Sequence, residues 1–301
     1  MIDRIVEWLR CPQCAMPLQR AEQSLRCDRG HSFDIARQGY VSLLRGGRNP
    51  IQGDDAGMIA AREELFARGH YRVIEQAIAG IAARACQSRR DPLIVDIGAG
   101  IGNYLAAALE HLPAGLGIGI DVSKPAARRL GRAHPRAGAI IADVWSGLPL
   151  ADQCADVALT VFAPRNAAEI ARILRPGGTW LIATPAAHHL AELARIEGVL
   201  SVDERKGERL AATVGESFVQ RENHHVRATI EVTKDEAERV LAMGPTAWHL
   251  DRDQRARAVE SAFAAVEATT RMPLTLSVDI TEYQLASSPG SEPRSQARPF
   301  G

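Results

Sequence analysis

Residues 93–104 read LIVDIGAGIGNY, an apolar run that passes into a glycine-rich turn and then into a helical pattern. At Gly98, Gly100 and Gly102 a ligand can approach the backbone with no side chain in between. Dinucleotide-binding folds use a similar turn, so the glycines alone do not choose the ligand. Their position between a strand and a helix predicts a parallel α/β sheet built around this segment.

Short apolar runs and helical patterns alternate after this turn, as expected for βαβ units that place helices over a parallel sheet. Helical patterns also precede it, near 58–69 and 71–85. After residue 200 we expect a strand near 224–233, helices near 235–242 and 252–266, and a strand near 272–285. The central strands are predicted near 93–97, 116–121, 138–142, 156–162 and 179–184, with helices near 102–112, 124–134, 166–174 and 188–200.

Acidic side chains stand at three consecutive strand ends. Asp96 precedes the first glycine, Asp121 ends GIGID, and Asp143 follows the apolar run that precedes VW. Open α/β sheets bind ligands at this edge, where Asp121 can accept ribose hydroxyls and Asp143 an adenine amino group. The turn itself contains no Lys or Arg for a pyrophosphate, so the cationic cofactor S-adenosylmethionine fits better than a dinucleotide. The alternative is that each Asp is a helix N-cap and each Gly an ordinary turn residue.

Three of the five cysteines lie within the first 27 residues, in the tight turns CPQC and CDRGH. We predict that Cys11, Cys14, Cys27 and His31 bind one zinc ion. Three thiolates and an imidazole complete a tetrahedral shell, so the zinc site is expected to be structural and not catalytic. The alternative is three ordinary thiols.

The segment around this cluster is basic. Residues 1–50 contain eight Arg and five Asp or Glu, a balance of +3. Arginine suits contacts to phosphates and stacking on bases, and Phe33 and Tyr40 are aromatic residues in the same segment. The segment is therefore a candidate RNA-recognition module, although a solvated charged face would have the same composition.

Composition sets the outer limits. The chain has 301 residues, 36 basic and 36 acidic side chains, zero formal charge and 46% hydrophobic residues. These values exclude a disordered chain, a coiled coil, a collagen and a uniformly basic nucleic-acid coat. No uninterrupted run of about 18 apolar residues predicts a membrane span. Acidic residues near Met1 argue against a secretory signal, and the odd cysteine count favours a reducing compartment, so we expect a cytoplasmic protein.

Two resemblances narrow the function. Residues 90–185 resemble the class I S-adenosylmethionine-dependent methyltransferases, which implies a seven-stranded Rossmann-like sheet. The order of the cysteine–histidine cluster, GHSFDIARQGYVSLL, AREELFARGHY and VDIGAGIG resembles the 23S rRNA (guanine-N1)-methyltransferase family over about residues 8–285. The runs ADVWSGLPL, VFAPRNAAEI, ATPAAHHLAEL and MGPTAWH look closest to the branch associated with tylosin and mycinamicin resistance. Macrolide resistance is therefore an expectation, as is 23S rRNA as partner.

The family resemblance also implies site residues. It places Tyr71, Asn103, Tyr104 and His189 at the cofactor, and the zinc at the four ligands named above. The fold places its target group after the fourth strand, so Phe162, Pro164 and Arg165 are candidates for the target-base pocket, with Trp248 and His249 as a wall. No general base is identifiable; the candidates are Asp54, Asp55, His188 and His189.

The expected organisation has four parts. Residues 1–45 form a zinc-binding RNA-recognition module, 46–89 a linker and helical segment, 90–286 the methyltransferase domain, and 287–301 a disordered tail. Two other functions remain open: a small-molecule methyltransferase with a structural zinc module, and a non-catalytic RNA-binding protein. The sequence does not give the oligomeric state, and a homodimer is a possible arrangement.

Overall fold

The computed structural model describes residues 1–45, 53–194, 214–215, 217–267 and 269–286. Part of the linker predicted within residues 46–89 lies outside this range, as do residues 195–200 of the predicted helix 188–200 and the predicted disordered tail 287–301. In chain order the elements are α1 (Ile2–Ile5), β1 (Gln19–Ala21), β2 (Ser24–Arg26), β3 (Ser32–Asp34), β4 (Tyr40–Ser42), α2 (Ala56–Ala67), α3 (Arg72–Ala85), β5 (Leu93–Ile97), α4 (Asn103–Glu110), β6 (Leu116–Asp121), α5 (Lys124–Leu130), β7 (Ala137–Ile141), β8 (Ala155–Val161), α6 (Ala167–Ile173), β9 (Leu174–Pro185), α7 (Ala191–Ala194), β10 (Phe218–Val232), α8 (Lys234–Ala242), α9 (Arg252–Ala265) and β11 (Met272–Leu285).

A large sheet with the order β10-β11-β9-β8-β5-β6-β7-β4 forms the centre of the molecule. Strands β9 to β4 run parallel, whereas β11 is antiparallel to both β9 and β10. The seven strands from β5 onward are those expected for a class I methyltransferase, so the predicted fold class is confirmed.

An eighth strand was not expected. Residues Tyr40–Ser42, from the N-terminal segment, pair in parallel with Ala139–Ile141 of β7. Without β4, strand β7 would be an open edge whose backbone groups need partners. The N-terminal segment thus completes the central sheet as well as forming a small β1-β2-β3 sheet of its own.

Element boundaries differ from the sequence prediction where local chemistry decides them. Helix α2 begins at Ala56, two residues early, because the Asp55 side chain accepts hydrogen bonds from the backbone N–H groups of Gly57 and Met58. Strand β9 begins at Leu174 instead of near 179, because Leu174 already pairs with Ala155 of β8. The pairing resumes at Thr179 after a bulge in which Gly177 has a φ of 74°.

Helices cover both faces of the sheet, and every residue of β5 is buried in consequence. Helices α2 to α5 pack on one face through side chains such as Ile74 and Leu105. Helix α1 packs on the other face, where a Cβ added to Gly138 would lie 2.2 Å from Cδ1 of Ile5. Among the described residues, no helix combines the length and apolarity that a membrane crossing requires.

Candidate active site and metal centre

The four predicted zinc ligands meet at one point. Their donor atoms, the sulfurs of Cys11, Cys14 and Cys27 and Nδ1 of His31, all lie within 4.8 Å of one another. The Cys14 and Cys27 sulfurs are 3.7 Å apart, and His31 Nδ1 is 3.3 Å from the Cys27 sulfur. A tetrahedral zinc with ordinary bond lengths requires about 3.8 Å between sulfurs and about 3.5 Å between sulfur and nitrogen. The cluster fits a closed structural zinc site, and the zinc prediction is confirmed.

The basic surface of the N-terminal segment is smaller than its composition indicates. Arg10 donates to backbone carbonyls of its own segment, and Arg20 pairs with Asp3 at 3.4 Å. Tyr40 is only 7% exposed because it belongs to β4, so the expectation that its ring is available to bases is wrong. The exposed arginines of this segment without an ion-pair partner among the described residues are Arg4, Arg26, Arg29, Arg37 and Arg45.

The glycine turn is held by backbone conformation and by Asp121. Gly98, Gly100 and Gly102 all have positive φ, at 73°, 55° and 87°. The Asp121 carboxylate accepts hydrogen bonds of 2.8 Å from the backbone N–H groups of Gly100 and Ser123. A Cβ at Gly98 would lie only 2.3 Å from Cβ of Ala163, so no side chain fits there.

Two buried polar groups behind this turn have no hydrogen-bond partner among the described residues. They are both carboxylate oxygens of Asp96 and the hydroxyl of Tyr71. Burial, with the nearby Asp121 charge, raises the pKa of Asp96 to about 8. Because a buried polar group without a partner is costly, its presence here indicates a ligand that supplies hydrogen bonds or positive charge. The ammonium and sulfonium of S-adenosylmethionine fit this requirement.

Asp143 and Asn103, the other predicted cofactor residues, also make protein contacts. The Asp143 carboxylate accepts hydrogen bonds from the Trp145 backbone N–H and from the Ser146 hydroxyl. Asp143 is thus the N-cap of a short 3-10 helix, Val144–Ser146, as the alternative interpretation expected. Asn103 donates to Glu75 at 3.0 Å. Each carboxylate oxygen keeps a second lone pair, so the roles of Asp121 and Asp143 toward ribose and adenine stay predictions.

A chain of aromatic rings leads from the buried end of the site to its surface. Tyr71 stacks on Phe66 with 5.0 Å between ring centroids, and Phe66 meets the edge of Tyr104 at 5.5 Å. Tyr104 contacts Phe162 at 6.5 Å, and Phe162 stacks on His189 at 6.0 Å. Phe162 is 41% exposed, so its ring is accessible from the surface at this end of the chain. Sequence reasoning missed Phe66, although its position five residues before Tyr71 is visible in FARGHY.

The backbone is strained at the outer end of this chain. Phe162, His188 and Leu190 are not glycines, yet they have φ values of 53°, 65° and 53°. Such conformations cost about 1–3 kcal/mol each and concentrate at functional sites. Nδ1 of His189 accepts a 3.1 Å hydrogen bond from the Ser277 backbone N–H. The neutral imidazole therefore carries its proton on Nε2, which makes it a donor and disfavours it as the general base.

The remaining candidates for the base pocket make no ring contact with the aromatic chain among the described residues. Pro164 is exposed, and Arg165 is half-buried, where burial lowers its pKa and the Tyr283 hydroxyl opposes the shift. Trp248 is 43% exposed and makes no ring contact with the aromatic chain among the described residues. Of the general-base candidates, Asp55 caps α2 and Asp54 is ion-paired.

Arg62 of α2 lies over the glycine turn and was also missed. Its Nη1 is 2.7 Å from Asp54, its Nη2 donates to the Met243 carbonyl at 2.8 Å, and a Cβ at Gly100 would be 3.0 Å from Nη1. The glycine turn itself contains no Lys or Arg, as the sequence shows. In the folded protein, however, Arg62 from α2 places a positive charge beside the turn, so the expectation of a site without a cation is wrong. Arg62 is 38 residues before Gly100 in the sequence, so counting charges within the motif could not find it.

An open cleft of about 650 Å³ lies between the N-terminal segment and helices α2, α4 and α5, and it shares Phe66 and Asn103 with the site described above. Three arginines line it, and only Arg129 has an ion-pair partner there among the described residues, Glu63 at 3.2 Å. The cleft is therefore positively charged in a protein of zero formal charge. Its charged and polar lining residues are Gln38, Glu63, Asn103, Arg128, Arg129 and Arg132.

Two family models match the chain, a zinc-ribbon model described as RlmA, N-terminal, at residues 9–49 and a methyltransferase domain at residues 94–178. The chain is 45% identical over 276 residues to the 23S rRNA (guanine(748)-N(1))-methyltransferase of Streptomyces fradiae, covering 92% of this chain and 98% of that protein. It is 48% identical over 259 residues to a Micromonospora griseorubida protein whose name gives the class 23S rRNA (guanine-N(1)-)-methyltransferase, covering 81% and 88%. A Bacillus subtilis protein with the same class name is 31% identical over 256 residues, again covering 81% and 88%.

Proposed function

The chain belongs to the 23S rRNA (guanine-N1)-methyltransferase family, and we propose that its target is the guanine for which its Streptomyces fradiae relative is named, guanine 748. It is an enzyme that methylates N1 of a guanine in 23S rRNA and uses S-adenosylmethionine as cofactor. The observation that carries the proposal is the 45% identity over 98% of that relative, which includes both the zinc module and the methyltransferase domain. A cytoplasmic location follows from a ribosomal RNA substrate.

In this proposal the cofactor lies at the acidic edge of the sheet. The cofactor would lie against the backbone of the glycine turn, at Gly98, Gly100 and Gly102. Asp96 would pair with the cofactor's ammonium group. The buried, unpartnered carboxylate of Asp96 supports this assignment, since it requires a donor or a cation. The other proposed cofactor residues are Tyr71, Asn103, Tyr104, Asp121, Asp143 and His189. Bound S-adenosylmethionine supplies an electrophilic methyl group on its sulfonium.

The target guanine must leave the RNA stack to reach this edge, because its N1 faces its pairing partner in a duplex. We propose that the flipped base stacks on Phe162, and the exposed ring and strained backbone of this residue support the role. Guanine N1 loses a proton before it can attack, which leaves negative charge on N1 and O6.

RNA backbone contacts are proposed on two neighbouring surfaces. The first is the zinc module, residues 1–45, through its exposed arginines that have no ion-pair partner among the described residues. The second is the cleft lined by Arg128 and Arg132, which borders the zinc module at Gln38. Arginine contacts to phosphate fix the register of an RNA without reading its sequence, so both surfaces would orient the hairpin toward the sheet edge.

Incubation of the protein with labelled S-adenosylmethionine and a hairpin transcript that contains guanine 748 tests the activity. Methylation at N1 blocks the pairing edge, so reverse transcription is expected to stop next to this guanine. A transcript with adenine at the same position is the control and should give no stop. Label in RNA without this stop would overturn the choice of target, and no label in RNA would leave the small-molecule or the non-catalytic alternative.

The zinc module is tested with Cys14→Ser. We expect it to lose bound zinc and to weaken hairpin binding, since metal binding supplies folding free energy to a segment this small. Cys86→Ala is the matched control, because Cys86 is a buried thiol outside the cluster and should leave the zinc content unchanged. Drug resistance stays a prediction, and the relatives' names give no support for a homodimer.

A further inference from the structure

The cation above the glycine turn has contacts on three sides. Arg62 reaches from α2 to Asp54, to the Met243 carbonyl after α8, and to the space directly over Gly100. Burial raises the pKa of both Asp121 and Tyr71, and the Arg62 charge opposes the shift in each case. The guanidinium therefore faces the inside of the cofactor site and not the solvent surface of α2.

The charges around this point match one part of the cofactor. S-adenosylmethionine carries two positive groups, the sulfonium and the ammonium, and one negative group, the carboxylate of its amino-acid portion. The site holds the carboxylates of Asp96, Asp121 and Asp54 together with the single described cation at the turn, Arg62. Asp96 suits the ammonium, Asp121 is assigned to the ribose, and Asp54 is already paired with Arg62. The Arg62 guanidinium, which has further N–H donors, is therefore the partner for the negative group.

We infer that Arg62 binds the carboxylate of the amino-acid portion of S-adenosylmethionine. Asp54 already shows that a carboxylate fits in this position, with its oxygen 2.7 Å from Nη1. A guanidinium has five N–H donors in a planar fork, and the contacts to Asp54 and Met243 engage one donor group each. Bonding to Met243 and Asp54 fixes the fork over Gly100, where a backbone without Cβ leaves room for the ligand.

The inference rests on the proposed cofactor and is tested by binding alone. The two ligands are S-adenosylhomocysteine and its decarboxylated analogue, which keeps the adenosine, the thioether and the ammonium. The wild-type protein is expected to bind S-adenosylhomocysteine about 10- to 100-fold more tightly, the range for one charge-assisted pair. In Arg62→Gln this preference should fall to about twofold or less, by loss of affinity for S-adenosylhomocysteine only.

Arg239→Gln is the matched control. Arg239 also pairs with a residue of α2, Glu64, but on the side away from the turn, so the variant should keep the wild-type preference. If Arg62→Gln weakens both ligands equally, Arg62 is a structural strut and the inference is wrong. Equal binding of both ligands by the wild-type protein would overturn it without any variant, even if Arg62→Gln does not fold. The binding experiment contains no RNA, so its result does not depend on the methylation test. Absence of guanine methylation would refute the proposed function without changing the ligand preference measured here.

Discussion

The role of Asp96 in the cofactor site can be tested by measuring how many protons are released when the ligand binds. Its carboxyl is buried, has no partner among the described residues, and has a pKa raised by burial to about 8. At pH 7 about nine-tenths of the molecules therefore hold a proton on Asp96. Arrival of the cofactor's ammonium favours the ionised form, so binding of S-adenosylhomocysteine at pH 7 should release about 0.9 proton, and about 0.5 at pH 8.

Isothermal titration calorimetry in buffers of different ionisation enthalpy measures this release directly. Asp96→Asn is expected to remove it, because an amide does not titrate, and to weaken binding through loss of the charge. The comparison between the two proteins at each pH isolates this residue from other groups that titrate. Equal proton release by Asp96→Asn and wild type, or none by either, would refute the assignment of Asp96 to the ammonium.

The same residue makes the stability of the protein without cofactor depend on pH. The pKa of Asp96 is higher in the folded than in the unfolded protein, so the folded state binds more protons between about pH 4 and pH 8. Unfolding free energy attributable to Asp96 should accordingly fall by about 1.4 kcal/mol per pH unit as the pH rises through this window. Urea unfolding at pH 6 and pH 7.5 should show this slope in wild type and its loss in Asp96→Asn.

Three further predictions concern packing, the base and the RNA. Gly98→Ala should have a free energy of unfolding about 2 kcal/mol or more below that of Gly30→Ala, as measured by urea denaturation. Both glycines have positive φ, but only at Gly98 would the added Cβ clash, at 2.3 Å from Cβ of Ala163. Phe162→Ala should lower kcat/KM for the hairpin about 10- to 100-fold, the loss of one base-stacking contact, while the S-adenosylhomocysteine Kd stays within about twofold; a parallel loss of cofactor affinity would contradict the base-stacking role. Replacing Arg128 and Arg132 by Gln should reduce the slope of log Kd for RNA against log salt by about 1 to 2, and an unchanged slope would remove the cleft from the RNA surface.

The sequence predicted the parallel part of the fold well because buried parallel strands are continuous apolar runs. LIVDI and ADVALTV have this character, and both are buried along their whole length. The zinc cluster was equally visible, since its ligands are close in sequence. The strand Tyr40–Ser42 was not, because three residues carry too little pattern and their pairing partner lies about a hundred residues later.

The parts of the site that sequence reasoning missed come from distant segments. Arg62 and Phe66 lie in α2, and only the packing of that helix against the turn brings them to the sheet edge. Proximity in three dimensions is set by helix packing, which a local motif does not encode.

The parallel pairing of β4 with β7 has a consequence for synthesis on the ribosome. Residues 40–42 leave the ribosome before their hydrogen-bonding partners at 139–141, which emerge only after β5, the glycine turn and β6 have been made. The amino-terminal region can acquire its metal ion at once, but it must wait with an unpaired strand until translation reaches β7. The edge of the central sheet at β7 is therefore completed late in synthesis, when β4 pairs with the newly made β7.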